Sequence, residues 1–157
     1  MDRTIASIKH RLKANPVAIQ FPMGSESAFV GVIDLVEGKA YEFRNDQKDS
    51  PDEVPIPDEL LEDFRRYREV MVEKVVETDD NLMIRYLEGE LLPPEELKRA
   101  LRQATISRIL VPVLCGSALN SKGVGLLLDA IIEYLPSPSE IPPTKCIVPD
   151  TGEEIFL

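Results

Sequence analysis

Tryptophan is missing from this sequence, and histidine occurs once. His10 has no cysteine, histidine or carboxylate grouping near it at ligand spacing, so it reads as a solvated helix residue and offers no basis for a metal site. Nothing in the sequence brings it to Cys115, which leaves no support for a Ser-His-Asp or Cys-His pairing. Cys115 and Cys146 are the only cysteines. Two are too few for a disulfide framework, and one lies in an apolar run, which fits a reducing cytoplasm. No apolar run approaches the roughly 18 residues that suggest a membrane helix, and no signal-peptide pattern is present. Positive charge is scarce, with 18 Lys and Arg against 28 Asp and Glu and a formal net charge of −10. That balance repels phosphate, disfavours a direct nucleic-acid contact and suits a basic protein surface instead. A Gly-x-x-x-x-Gly-Lys-Ser/Thr loop is also missing, so the chain has no phosphate cradle of that kind. Aromatics make up 6%. Tyr41, Phe43, Phe64 and Tyr67 read as core residues, since an acidic chain makes a poor base-stacking platform.

What is present suits a globular α/β protein. A chain of 157 residues buries roughly 70% of its unfolded surface without staples. The rest can be arranged around Ile109 to Ala118. Its apolar run predicts a strand covered on both faces, and Gly-Ser-Ala predicts a turn at its carboxyl end. In open α/β sheets such a turn is where ligands sit. A helix from Val124 to Leu135 follows.

Earlier in the chain, Ile5, Ile8 and Leu12 predict a helix over Asp2 to Lys13, ended by Asn15-Pro16. Pro16 to Phe21 reads as one short strand with Val17 and Ile19 on one side. Phe29 to Val36 and Lys39 to Phe43, separated by Glu37-Gly38, read as a hairpin. Arg44 to Pro57 is expected to be an exposed loop. The longest helix is expected over Asp58 to Thr78, with Leu60, Phe64, Tyr67, Met71 and Val75 as an apolar stripe widened by Leu61, Val72 and Val76. Glu62, Arg66, Glu69, Glu73 and Glu77 line the opposite face. Asp79 or Asp80 caps a second helix running to Leu87 with Leu82, Ile84 and Tyr86, ended by Gly89. Pro93-Pro94-Glu95-Glu96 opens a third helix to Ser107. The proline-rich tail from Pro136 is expected to be a linker. The absence of spare residues before the first helix suggests a piece of a longer protein.

Several segments, in the same order, resemble bacterial translation elongation factor G. Met1-Asp2 is similar to the end of the Asn-Lys-x-Asp signature of translational GTPases, and Cys115-Gly116-Ser117-Ala118 to their last guanine-recognition motif. Ala14-Asn15-Pro16-Val17, Gly31-Val32-Ile33-Asp34-Leu35, Ala100-Leu101-Arg102-Gln103, Gly123-Val124 and Asp129 to Pro138 resemble the same family. The likeness extends to about Pro143.

The resemblance implies a partial P-loop-GTPase-type domain carrying an inserted α+β subdomain with a small antiparallel sheet and three helices. Residues 1–14 would be the helix after the Asn-Lys-x-Asp motif, 15–108 the insert, 109–136 the last strand, motif and helix, and 137–157 a linker towards a missing second domain. In the full-length parent, Asp2 would accept from the two adjacent N–H donors of guanine, and the Ala118 amide would donate to its O6. Ser117 would shape the turn. Leu119 stands where many GTPases have lysine. GTP or GDP and Mg2+ belong to that parent. Without P-loop and switch regions, the chain itself is expected to hold no cofactor, bind no nucleotide usefully and carry out no hydrolysis. The resemblance further implies docking of Glu69, Glu73 and Glu77 on the basic C-terminal domain of the ribosomal stalk protein, with no membrane contact. Two alternatives stand beside this one. One is a related ribosomal-protection or release-type GTPase. The other is a nucleotide-independent adaptor domain, in which Asp2 is a helix cap, Gly-Ser-Ala a plain turn and the acidic stripe a solvated face.

Overall fold

The computed structural model describes residues 1–43, 51–141, 145–147 and 154–156. Within them the protein is mixed α/β. Eight short strands form a parallel pair, a four-stranded antiparallel sheet and a hairpin, accompanied by five α-helices.

The first helix, α1 (Asp2–Leu12), ends at Lys13 in the left-handed region (φ 53°). Its apolar stripe is weaker than the periodicity predicts: α1 contains no buried residue, and Leu12 is 72% exposed. The single strand expected over Pro16 to Phe21 is two strands, β1 (Pro16–Ala18) and β2 (Gln20–Met23), in different sheets. The pivot is Ile19. Its amide donates to the Val113 carbonyl at 3.1 Å, while its own carbonyl accepts from Leu35 at 2.9 Å. One residue thus serves both sheets with its two backbone groups, which period-two patterning does not reveal.

Strand β2 pairs with β3 (Gly31–Asp34), β3 with β4 (Lys39–Glu42) and β4 with β5 (Asp52–Val54), all antiparallel. The β3–β4 hairpin is as expected. Its turn is held by Asp34, whose Oδ1 accepts from the Val36 and Glu37 amides at 2.8 Å each. Strand β5 corrects the expectation of a loop over Arg44 to Pro57; the part of that expectation at 44–50 lies outside the described residues. An isolated three-residue strand with two acids carries almost no propensity signal, and pairing along β4 decides it.

After a 3-10 turn at Asp58–Leu60 come α2 (Leu61–Val76), α3 (Asp80–Leu87) and α4 (Pro94–Ile106). Met71, Val75 and Val76 of α2 are buried, and Leu60, Phe64, Tyr67 and Val72 pack at the margin of the same core. Asp79 is the cap of α3, accepting from the Asn81 and Leu82 amides at 2.9 and 3.1 Å. Of the expected α3 residues, Leu82 is buried and Tyr86 packs against the core, while Ile84 is 55% exposed. Arg68 of α2 donates to the Leu35 and Val36 carbonyls and ties the helix to the β3–β4 corner.

The central run forms only β6 (Val111–Val113), parallel to β1 with Pro16 opposite Val111. The expectation of a strand covered on both faces is not met here, since Ile109 is 49% and Val111 42% exposed. Val111 and Val113 direct hydrogen bonds to β1's side through Asn15 and Ile19. Pro112, lacking an N–H, therefore sits with its blank side towards the other edge of β6, as prolines in edge strands do.

Helix α5 (Val124–Tyr134) packs on α4. Arg102 of the Ala-Leu-Arg-Gln segment caps it from outside, donating to the carbonyls of Glu133 (2.6 Å) and Leu135 (3.0 Å) and pairing with Glu140 at 2.7 Å. A cation at the C-terminal end of a helix is where the dipole favours it. The expected linker at 137–157 is described only at 137–141, 145–147 and 154–156. It contains a 3-10 turn at Pro138–Glu140 with a Ser137 capping box, and β7 (Lys145–Ile147) pairs antiparallel with β8 (Glu154–Phe156). No described helix is long and apolar enough to cross a membrane.

Candidate functional site

Parallel pairing of β1 with β6 turns two distant segments towards one end of the molecule. Because α1 leads back into β1, its start lies beside the carboxyl end of that strand, where Asp2 and Ala18 line a common cleft with Tyr67. The Gly-Ser-Ala corner follows β6 at the corresponding end. Burial pushes the Cys115 thiol up to about 11, and the Met1 ammonium is near enough to pull it partly back. Asp2 and the corner each lie at the carboxyl end of one of the paired strands, and no hydrogen bond or ion pair joins Asp2 to residues 116–119 among the described residues.

The corner is tightly built. Ser117 and Lys122 exchange backbone hydrogen bonds at 2.9 and 3.0 Å, and Asn120 Nδ2 donates to Ser117 Oγ at 3.2 Å. A Cβ at Gly116 would meet the Lys122 carbonyl at 3.0 Å, and one at Gly123 the Cys115 carbonyl at 3.0 Å. Gly123 also has φ 82°, so both glycines are needed for this backbone to fold against the start of α5. Lys122 Nζ then reaches across to the Phe29 carbonyl at 3.0 Å. Ala118 is exposed and Leu119 is 95% exposed. Among the described residues the Ala118 amide donates to no acceptor.

Asp2 is engaged. Its Oδ1 accepts from the Tyr67 hydroxyl at 2.8 Å, and Arg66 approaches Oδ2 at 3.9 Å. Partial burial, followed by the bond to Asp2, holds the Tyr67 phenol above its ordinary value. Any ligand drawing on Asp2 must compete with or share these partners. The sequence pattern places Tyr67 in the apolar stripe, and helical periodicity gives no sign of its bond to Asp2.

Glu69 and Glu73 of α2 and Glu77, its C-cap, are exposed, and none forms an ion pair among the described residues. The arginines that punctuate this helix are mostly occupied: Arg66 with Asp63 at 2.9 Å and Arg68 with the sheet carbonyls. Tyr86 of α3 lies beside the stripe; partial burial raises its phenol first, and the charges of Glu73 and Glu69 add to that. Among the described residues no group of three or more His, Cys, Asp or Glu could hold a metal ion.

No protein-family model matches the chain. Among solved structures it is similar to the protein ttk003000868 of Thermus thermophilus, with 32% sequence identity and a TM-score of 0.76 over 99% of this chain. The match covers 24% of that protein, so the chain spans about a quarter of its length.

Proposed function

We propose that the chain is part of a translational GTPase of the elongation factor G type, in which it supplies a ribosome-docking module and one wall of the guanine pocket. The observations that support this reading are the open corner after β6, where the Ala118 amide has no acceptor among the described residues, and Asp2 in the cleft beside the carboxyl end of β1. A carboxylate and a free backbone amide at one end of a parallel strand pair suit the two edges of guanine. The carboxylate accepts from N1–H and the exocyclic amine, and the amide donates to O6. Charge-assisted hydrogen bonds of this kind contribute roughly 1.5–3 kcal/mol each when desolvated. Adenine offers neither complement.

In the parent, GTP hydrolysis would drive ribosomal translocation in the cytoplasm, and Mg2+ and the phosphate cradle would come from outside this chain. Here the residues do two things. Asp2, Ser117, Ala118 and Leu119 contribute to guanine selection. Glu69, Glu73 and Glu77 present three uncommitted carboxylates on one helix face to a basic helix of the stalk protein's C-terminal domain. Contacts of this kind accelerate encounter more than they deepen affinity, and they weaken as salt shortens the Debye length, about 8 Å at physiological strength.

The test is binding of the labelled chain to the stalk C-terminal domain at low and high salt. Association that falls with salt, and is lost in the Glu73→Lys, Glu77→Lys double variant, supports the reading. Salt-independent binding, or none, removes it in favour of an adaptor domain without a nucleotide link. Asn-Lys directly before Met1 in the source gene would supply the rest of the guanine signature.

A further inference from the structure

A polar cleft of about 340 Å³ lies where β2, β3 and β4 meet α4 and α5. That volume is in the range of small-ligand sites, roughly 300–1,000 Å³. Gln20 lies at its floor and is 3% exposed, and its Oε1 has no hydrogen-bond partner among the described residues. Gln20 stands directly opposite Asp34 in the β2–β3 register, so the two side chains share one sheet face. Tyr134 of α5 forms a wall. It is 5% exposed, and its hydroxyl makes no hydrogen bond among the described residues. Asp34 spends Oδ1 on the turn amides, and its second oxygen has no hydrogen bond among the described residues. Asp129 likewise has no ion pair among them.

The cations of the cleft are already committed. Lys39 pairs with Glu53 at 3.0 Å, and Lys98 with Glu37 and with Glu133, the latter at 3.4 Å. What remains uncommitted is a set of acceptors: two carboxylates, an amide oxygen and a phenol oxygen. Buried polar groups are nearly always satisfied, so the Gln20 amide oxygen, buried and without a partner in a side chain that lines the cleft, points to something that occupies it. The apolar part of the lining, Leu114, Leu126 and Ala130, suits a short alkyl stem.

We propose that this cleft binds a small organic cation, a guanidinium or primary ammonium on an alkyl stem, whose head donates to Asp34 and Gln20. The cation belongs either to a free amine or to an arginine or lysine side chain of a polypeptide. The site is independent of the docking face and of the guanine corner.

The test titrates the whole chain with agmatine, with n-butylamine and with a capped arginine-containing pentapeptide, using pentanoate as control. Melting midpoint and the NMR signals of Asp34 and the Gln20 side-chain amide are followed. The cations should raise the midpoint saturably and shift both signals, and pentanoate should do neither. Response to the free amines identifies a small-molecule ligand, and response to the peptide alone identifies a polypeptide side chain. Asp34→Asn keeps an Oδ1 for the turn amides and should weaken binding at least tenfold. Gln20→Met should raise the midpoint of the free chain while losing the ligand response. No saturable change with millimolar cation, an equal response to pentanoate, or undiminished binding by Asp34→Asn would overturn the proposal. A stabilised Gln20→Met alongside an unresponsive parent chain would overturn it too, and would mean that water alone fills the cleft.

Discussion

Around the antiparallel sheet, Ile33, Leu35, Val75 and Leu101 are all 0% exposed, whereas on α5, beside the parallel pair, Leu128 is 55% and Ile132 78% exposed. The residue types are the same in both places. An antiparallel sheet packs one face on a core and leaves the other to water, and α2, α3 and α4 from the same chain complete that arrangement. A parallel pair is normally covered on both faces. A helix that is apolar nearly all round, as Val124 to Leu135 is, belongs between two layers. The first region is closed by its own chain. The second carries a pattern for two-sided burial, of which the described residues supply one side.

The largest effect expected from this contrast separates two leucines. Leu101→Ala should cost roughly 2–5 kcal/mol, read as a lowered urea midpoint with an unchanged slope, while Leu128→Ala should move it by no more than about 0.5 kcal/mol. Equal losses would break the contrast. A smaller effect sharpens it at the edge of the closed region. Asp79→Ala removes the cap of α3 and should cost about 1 kcal/mol, and Asp80→Ala should cost only a few tenths. The reverse order would mean that α3 begins one residue later than described.

The smallest effect concerns how α5 is fastened. Bonds from the Ser137 amide, then from Arg102, hold the Glu140 carboxyl down at about 2, against an ordinary value of 4.5. A carboxyl lowered in the folded state stabilises above its unfolded pKa and ceases to as pH falls through its folded pKa. The Arg102 clamp on the end of α5 should therefore hold above about pH 4.5 and loosen between there and about pH 2. Protection factors of the Leu135 and Ser137 amides, taken against intrinsic exchange at each pH, should fall in that window, and Glu140→Gln should flatten the dependence.

Helix positions were legible because their signals are local. The stripe of α2, the prolines and acids opening α4 and the acid capping α3 each act within a turn or two of chain. The hairpin was legible from Glu37-Gly38 between two apolar runs. Strand β5, the split at Ile19 and the β7–β8 hairpin were not, since each depends on pairing that local pattern does not encode. The candidate site divides the same way. Exposure of Glu69, Glu73 and Glu77 follows from helical spacing. The bond from Tyr67 to Asp2, the tucking of Arg68 against the sheet and the unpartnered amide of Gln20 left no trace in spacing or composition.

By itself, then, the chain's order of residues determined its α/β class, the bounds of its helices within a few residues, and the acidic face of α2, because hydrophobic periodicity and capping act over short range. Tertiary structure alone decided that Tyr67 bonds Asp2, that Ile19 serves two sheets, and that α5 keeps apolar surface in water. Each of these depends on which distant segments pair and how completely one layer covers another.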